Sequence, residues 1–174
     1  MASGKEEVPA QSSAQPSIDP TLAAKFDELS ISHQTLEHPV IRTMEAGREI
    51  MQRLEGVVPV NLLLKDKAGN RYLLIKTMDN KTKFKVIGKA ANAQALQMEA
   101  RAALSEILNV PEGCATVFAL LNDAEHAITV IIDDTIPKDS KINFHPLRND
   151  ATTTISYEDM IKFIQSLGNR IVYF

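Results

Sequence analysis

The sequence predicts an α+β fold: a single domain with a mixed, largely antiparallel sheet flanked by helices. Three observations carry this. Apolar β-prone runs and amphipathic helical runs are interleaved, without the regular strand-helix alternation that builds a parallel sheet. Two pairs of apolar runs are separated by short polar turns, which is the pattern of hairpins. The chain has 174 residues and 44% hydrophobic content, enough to bury one core, and it shows no internal repeat.

The elements follow in order. Residues 1–20 are rich in Ser, Ala, Gln, Glu and Pro, with Val8 and Ile18 the only large aliphatics after Met1, so they are expected to form a disordered tail before a domain over 21–174. Leu22, Phe26 and Leu29 recur at helical spacing and predict a short helix ending before Ser30. His38-Pro39-Val40-Ile41 reads as extended, because a proline biases the residue before it away from the helix. Thr43 offers an N-cap to a helix through Met44, Ile50, Met51 and Leu54 that stops at Gly56. Val60 to Asp66 is nearly continuous in apolar residues, Lys67-Ala68-Gly69-Asn70 turns, and Arg71 to Lys76 returns, predicting a buried hairpin in the middle of the sheet.

Lys81, Lys83, Lys85 and Lys89 flank Phe84, Val86 and Ile87 and read as a solvated helix face, with a phosphate-binding patch as the other reading. An Ala-rich stretch follows, then Leu104, Ile107 and Leu108. Pro111-Glu112-Gly113 predicts a tight bend into Ala115 to Leu121, read as a strand that pairs with Ala127 to Ile132 through the polar turn Asn122 to His126. His145-Pro146 holds His145 at the end of a strand-like segment, Asn149 falls in a turn, and Thr152 to Ile155 is β-prone. Tyr157 to Leu167 is a helix capped by Ser156, and Arg170 to Phe174 closes the sheet as a last strand.

Composition excludes several classes. A net charge of -3 gives no general preference for nucleic acid, so any RNA contact has to come from a local patch. One cysteine excludes an intramolecular disulfide, and four scattered histidines with one cysteine lack zinc-ligand spacing, so neither metal nor cofactor is expected. The first residues lack a signal-peptide apolar run and no stretch is long enough to span a bilayer, so a cytoplasmic protein without membrane contact is expected. Compact polar side chains at the rim of a sheet make His145, Asn149, Thr152 and Thr153 candidate ligand contacts, against the alternative of an ordinary loop with structural hydrogen bonds. Gly113 is a place for close backbone approach or merely a turn. Cys114 is read as a small apolar filler rather than a nucleophile.

Four collinear segments carry a resemblance. His38-Pro39-Val40, Asn61-Leu62-Leu63-Leu64-Lys65-Asp66-Lys67-Ala68-Gly69, Val110 to Asp123, and Phe144-His145-Pro146-Leu147-Arg148-Asn149 with Ala151-Thr152-Thr153 are similar to the prolyl-tRNA synthetase-associated editing domains of the YbaK-like superfamily. The resemblance spans 21–174. It implies a mixed α+β fold and hydrolysis of the ester of mischarged tRNA for proline, typically carrying alanine or cysteine, by a free-standing protein or an editing module, with alanyl-tRNA the substrate expected here. The implied partners are the aminoacylated 3′ end of tRNA and prolyl-tRNA synthetase or a synthetase complex. The implied site takes Gly113, His145 and Asn149 as catalytic, and Val60, Asn61, Val117, Thr152 and Thr153 as substrate-binding. Such an ester is already activated, so holding the carbonyl and placing a hydroxyl or water suffice.

Two positions depart from the family pattern. Val60 stands where the family has a lysine central to activity, and Val117 stands where the Gly-x-x-x-Pro loop has its proline. Lys65 cannot replace the lost ammonium, because alternation puts Asn61, Leu63 and Lys65 on one strand face and Val60, Leu62 and Leu64 on the other. The sequence therefore leaves a second reading open: a non-catalytic relative kept as a tRNA-binding or assembly module.

Overall fold

The computed structural model describes residues 17–174. Most of the expected tail lies outside the described residues, and its last residue already belongs to the fold. Helix α1 spans Pro20–Glu28, with Pro at its first position and the Asp19 carboxylate accepting from the Thr21 and Leu22 N–H groups.

Among the described residues, eight strands form two sheets. The first is antiparallel in the order β1-β7-β6, from Gln34–Glu37, Ala151–Ser156 and Lys141–Phe144. The second has the order β4-β2-β3-β5-β8, from Gln97–Met98, Val60–Lys65, Arg71–Lys76, Thr129–Ile132 and Ile171–Tyr173. Its hairpin β2/β3 is antiparallel with Val60 opposite Lys76, whereas β3/β5 and β5/β8 are parallel. Four further helices are α2 (Met44–Gln52), α3 (Phe84–Ala90), α4 (Ala103–Leu108) and α5 (Tyr157–Leu167). Thr43 and Ser156 cap α2 and α5 through their hydroxyls, as their sequences predict.

The main core lies between the two sheets. There Phe118 meets Phe26, Phe163 and Phe144 edge to face, with ring centroids 5.2, 5.4 and 5.6 Å apart. A smaller cluster on the far face of the five-stranded sheet joins Leu64, Tyr72, Leu74 and Ile131 to Ile87 of α3 and to Ala91 at its C-cap. Alternation along β2 and β3 sorts their side chains between the two clusters.

Two sequence expectations fail. The predicted hairpin of 115–121 with 127–132 does not form: Val117–Asn122 is a 3₁₀ helix, and β5 pairs in parallel with its neighbours instead. Val117, Phe118, Ala119 and Leu120 are all fully buried, and an apolar run buried all round has the same sequence pattern as a buried strand. Thr116 tips the balance, since its hydroxyl accepts from Phe118 N–H as a helix cap does. The second failure is an omission. β1 precedes His38 rather than containing it, and its short polar stretch carries little apolar signal.

Candidate functional site

Two cavities meet at one loop. The first, about 180 Å³, lies under α2 between the two sheets, with an apolar wall of Ile41, Ile50, Met51, Leu54 and Val58. Its polar wall is Asn143, His145 and Thr152. The second, about 170 Å³, follows the edge of β2 beside the segment from Met98 to Arg101. Asn61, Gly113 and Ala115 border both.

The loop that joins them is set by local chemistry. The Cys114 N–H donates to Pro111 O at 3.1 Å, closing a turn that needs a left-handed residue, and Gly113 supplies it at φ +77°. A Cβ at Gly113 would meet nothing within 4 Å, so this side of the backbone faces open space at the cavity junction. On the partner side, Thr116 Oγ1 donates to His145 O at 2.7 Å and ties the loop to the start of the 145–150 turn.

A polar chain lines the first cavity. His145 Nδ1 lies 2.8 Å from Ala151 O, and a carbonyl only accepts, so Nδ1 carries the proton and Nε2 of the neutral ring keeps its lone pair. Burial pushes the His145 pKa below its ordinary 6.5 and outweighs the opposing bond to Ala151 O; the His38 ring lies 6.3 Å away between centroids. His38, which is itself buried, donates from Nδ1 to Pro39 O at 2.8 Å and meets Thr152 Oγ1 with Nε2 at 2.9 Å. Cys114 is fully buried, and burial followed by the charge of Asp150 pushes its thiol up to about 12, leaving it inert as a nucleophile.

The second cavity has a different electrostatic character. Glu99 is screened by Arg71 at 3.0 Å and Lys65 at 3.4 Å, which leaves the exposed Arg101 as a cation at the rim without a salt-bridge partner among the described residues. No group of three His, Cys, Asp or Glu is placed to hold a metal among the described residues, and no helix there is long and apolar enough to cross a membrane.

The site residues predicted from sequence divide accordingly. Gly113, His145, Asn61 and Thr152 come together around the cavities. Thr153 points the other way on β7 and bonds Thr35 Oγ1 at 2.7 Å, while Val117 is sealed in the core. Asn149 is half-buried in the turn before β7 and lines neither cavity. Val60 also lines neither: by alternation it shares the face of Leu62 and Leu64, opposite Asn61, and its cross-strand neighbour is Lys76. That pairing makes a prediction. Val60→Lys sets an ammonium beside Lys76, and a like-charge cross-strand pair should cost about 0.5–1 kcal/mol in urea unfolding without raising ester hydrolysis.

Sequence reasoning missed His38 as a site residue, along with the α2 wall and Arg101. His38 carried a signal in its His-Pro step, like that of His145. The α2 residues read only as a helix face that must be buried somewhere, and Arg101 as one exposed cation among many.

An α+β fold with two sheets, a glycine loop and a His-Pro turn around a small apolar cavity defines a class, and the comparisons agree with it. Residues 38–163 match the aminoacyl-tRNA editing domain family. The chain belongs to that family. It is 30% identical over 147 residues to the prolyl-tRNA editing protein ProX of Acetoanaerobium sticklandii, covering 84% of this chain and 90% of that protein. It is 31% identical to prolyl-tRNA synthetase associated domain-containing protein 1 of Danio rerio, covering 79% of this chain and 76% of that protein. In fold it is similar to the crystal structure of a candidate trans-editing enzyme for prolyl-tRNA synthetase, with a TM-score of 0.65 and 11% identity over 89% of this chain and 96% of the other.

Proposed function

We infer that the protein hydrolyses the ester of mischarged tRNA for proline, with alanyl-tRNA as the preferred substrate. The observation that carries the reading is the meeting of an apolar and a cation-rimmed cavity at Gly113. The first is small, and Ile41, Ile50, Met51 and Leu54 limit the side chain it admits, which favours alanine over larger residues. The second follows the edge of β2, where Arg101 suits the phosphates next to the terminal ribose. The scissile carbonyl then lies at the junction, against the backbone of the Gly113 turn, where the Gly113 N–H, and not the Cys114 N–H that Pro111 O already holds, stabilises the developing oxyanion.

Water adds to the carbonyl carbon, the carbon–oxygen bond to the ribose breaks, and the departing ribose oxygen takes up a proton. His145 stays neutral near pH 7 and orients the ester without a metal or a covalent intermediate. The relatives named above support this reading, since their names assign them to prolyl-tRNA editing or to the synthetase-associated domain. The domain over 21–174 and a cytoplasmic location go with it.

The test is hydrolysis of labelled alanyl-, cysteinyl- and prolyl-tRNA for proline by the purified protein, with Gly113→Ala beside it. Alanyl-tRNA is lost fastest. Gly113→Ala keeps the fold at a cost of about 1 kcal/mol for its left-handed φ, because its Cβ enters open space, yet lowers hydrolysis at least about tenfold by crowding the carbonyl site. No loss above the spontaneous rate, with tRNA binding retained, overturns the hydrolase reading in favour of a recognition module.

A further inference from the structure

We propose that His38 is a positioning residue which, through Thr152, makes the polar wall of the first cavity a pair of hydrogen-bond acceptors that hold the substrate's α-amino group. The inference rests on the ester-hydrolysis reading above and adds what the site requires of the acyl group.

The argument starts from one carbonyl. Pro39 O accepts from His38 Nδ1 at 2.8 Å, so in the neutral ring Nε2 has no proton to give. The Thr152 hydroxyl, 2.9 Å from that nitrogen, must then donate to it. Its single proton is used up. The Thr152 oxygen can only accept from anything in the cavity it lines. The neighbouring His145 is set in the same way, because Ala151 O takes its Nδ1 proton and leaves Nε2 as a lone pair. Two backbone carbonyls therefore fix the polarity of both side chains before any ligand arrives.

An acceptor pair selects a ligand group with several protons on one atom. In an aminoacyl ester the donors are the α-amino group and the free ribose hydroxyl. The α-amino group shares its carbon with the side chain, so a side chain seated among Ile41, Ile50 and Leu54 carries the amine into the same cavity. The ribose lies beyond the carbonyl, toward the cavity of Arg101. The amine also brings more than one proton, where the hydroxyl brings one. His38 reaches the substrate only through Thr152, which is why it is a positioning residue; its fully bonded, buried ring holds the Thr152 rotor and nothing else in the cavity.

The experiment compares alanyl-tRNA with propionyl-tRNA for proline, in which hydrogen replaces the amine, each enzymatic rate divided by its spontaneous rate. The wild-type protein favours the alanyl ester at least about tenfold, the range expected for hydrogen bonds to a charged or strongly polarised donor. Thr152→Val and His38→Phe each bring that ratio toward unity, the double variant brings it no further, and Thr152→Ser and His38→Gln retain it; melting curves confirm that each variant is folded. A purely structural role for His38 would lower both rates alike and leave the ratio unchanged, which overturns the proposal. Equal wild-type rates on the two esters also overturn it while leaving ester hydrolysis in place. Failure on the alanyl ester itself removes the hydrolase reading and this inference together.

Discussion

Gly56→Ala should unfold the protein more readily than any other single methyl addition on the site's frame, with a loss of about 3 kcal/mol or more. Gly56 sits between α2 and β2 at φ +86°, and an added Cβ would lie on the Lys141 carbonyl oxygen, 2.6 Å from its carbon and 2.7 Å from the Lys141 Cβ. The obstacle is backbone that cannot swing aside. Val57 N–H donates to that same Lys141 oxygen at 2.9 Å, and Asn143 N–H donates to Val57 O at 3.0 Å, so the collision breaks the bridge between the 55–57 turn and β6. Asn143 Nδ2 also binds Glu55 O and Val57 O, at 2.8 and 3.0 Å.

These bonds hold α2 over the first cavity, so the variant should lose ester hydrolysis along with its melting temperature, which falls by roughly 6–12 °C for a chain of this size. Gly69→Ala separates the two causes. It has nearly the same φ, +87°, with nothing within 4 Å, and should cost only about 1 kcal/mol. If both variants melt alike, backbone strain alone accounts for Gly56 and the wedge at Lys141 is wrong.

The legible parts of the fold are those where one residue type forces the backbone. Thr43 and Ser156 cap the helices that begin just after them, and Gly56 and Gly113 stand where φ is positive. The β2/β3 hairpin follows from two apolar runs around a Gly-Asn turn. What the sequence hides is long-range pairing. The partners of β5 come from residues 71–76 and 171–173, and nothing local in 127–132 chooses them over the nearer 115–121. The site divides on the same line. Gly113 and His145 carry their own backbone signals, whereas the faces of Thr152 and Thr153 depend on which strands flank β7, and Arg101 matters only because the 98–101 segment runs beside β2.

Asp133→Ala should cost about 3–4 kcal/mol, since it removes a fully buried carboxylate and strands four donors at once. Oδ1 accepts from Thr135 N–H at 2.9 Å and its hydroxyl at 2.7 Å, and Oδ2 from Thr77 N–H at 3.0 Å and its hydroxyl at 3.2 Å. Asp133 N–H itself donates to Ile75 O, so the residue fastens the end of β3 to the end of β5. Burial alone would raise the carboxyl, yet the Thr135 and Thr77 donors outweigh it and hold the pKa below its ordinary 3.8. The sign of the pH dependence follows. A carboxyl whose folded pKa is depressed stabilises the fold above about pH 3.8, and that contribution is lost as pH falls through the folded value.

Asp133→Asn keeps the shape but turns one acceptor into an NH₂ group facing donors, and should cost about 2 kcal/mol at pH 7. Protonated Asp133 has the same defect as the asparagine. The gap between wild type and Asp133→Asn in urea unfolding should therefore narrow as the pH is lowered from 5 toward about 2.5. A gap that stays constant over that range would mean the carboxylate charge contributes nothing, and that shape alone holds β3 to β5.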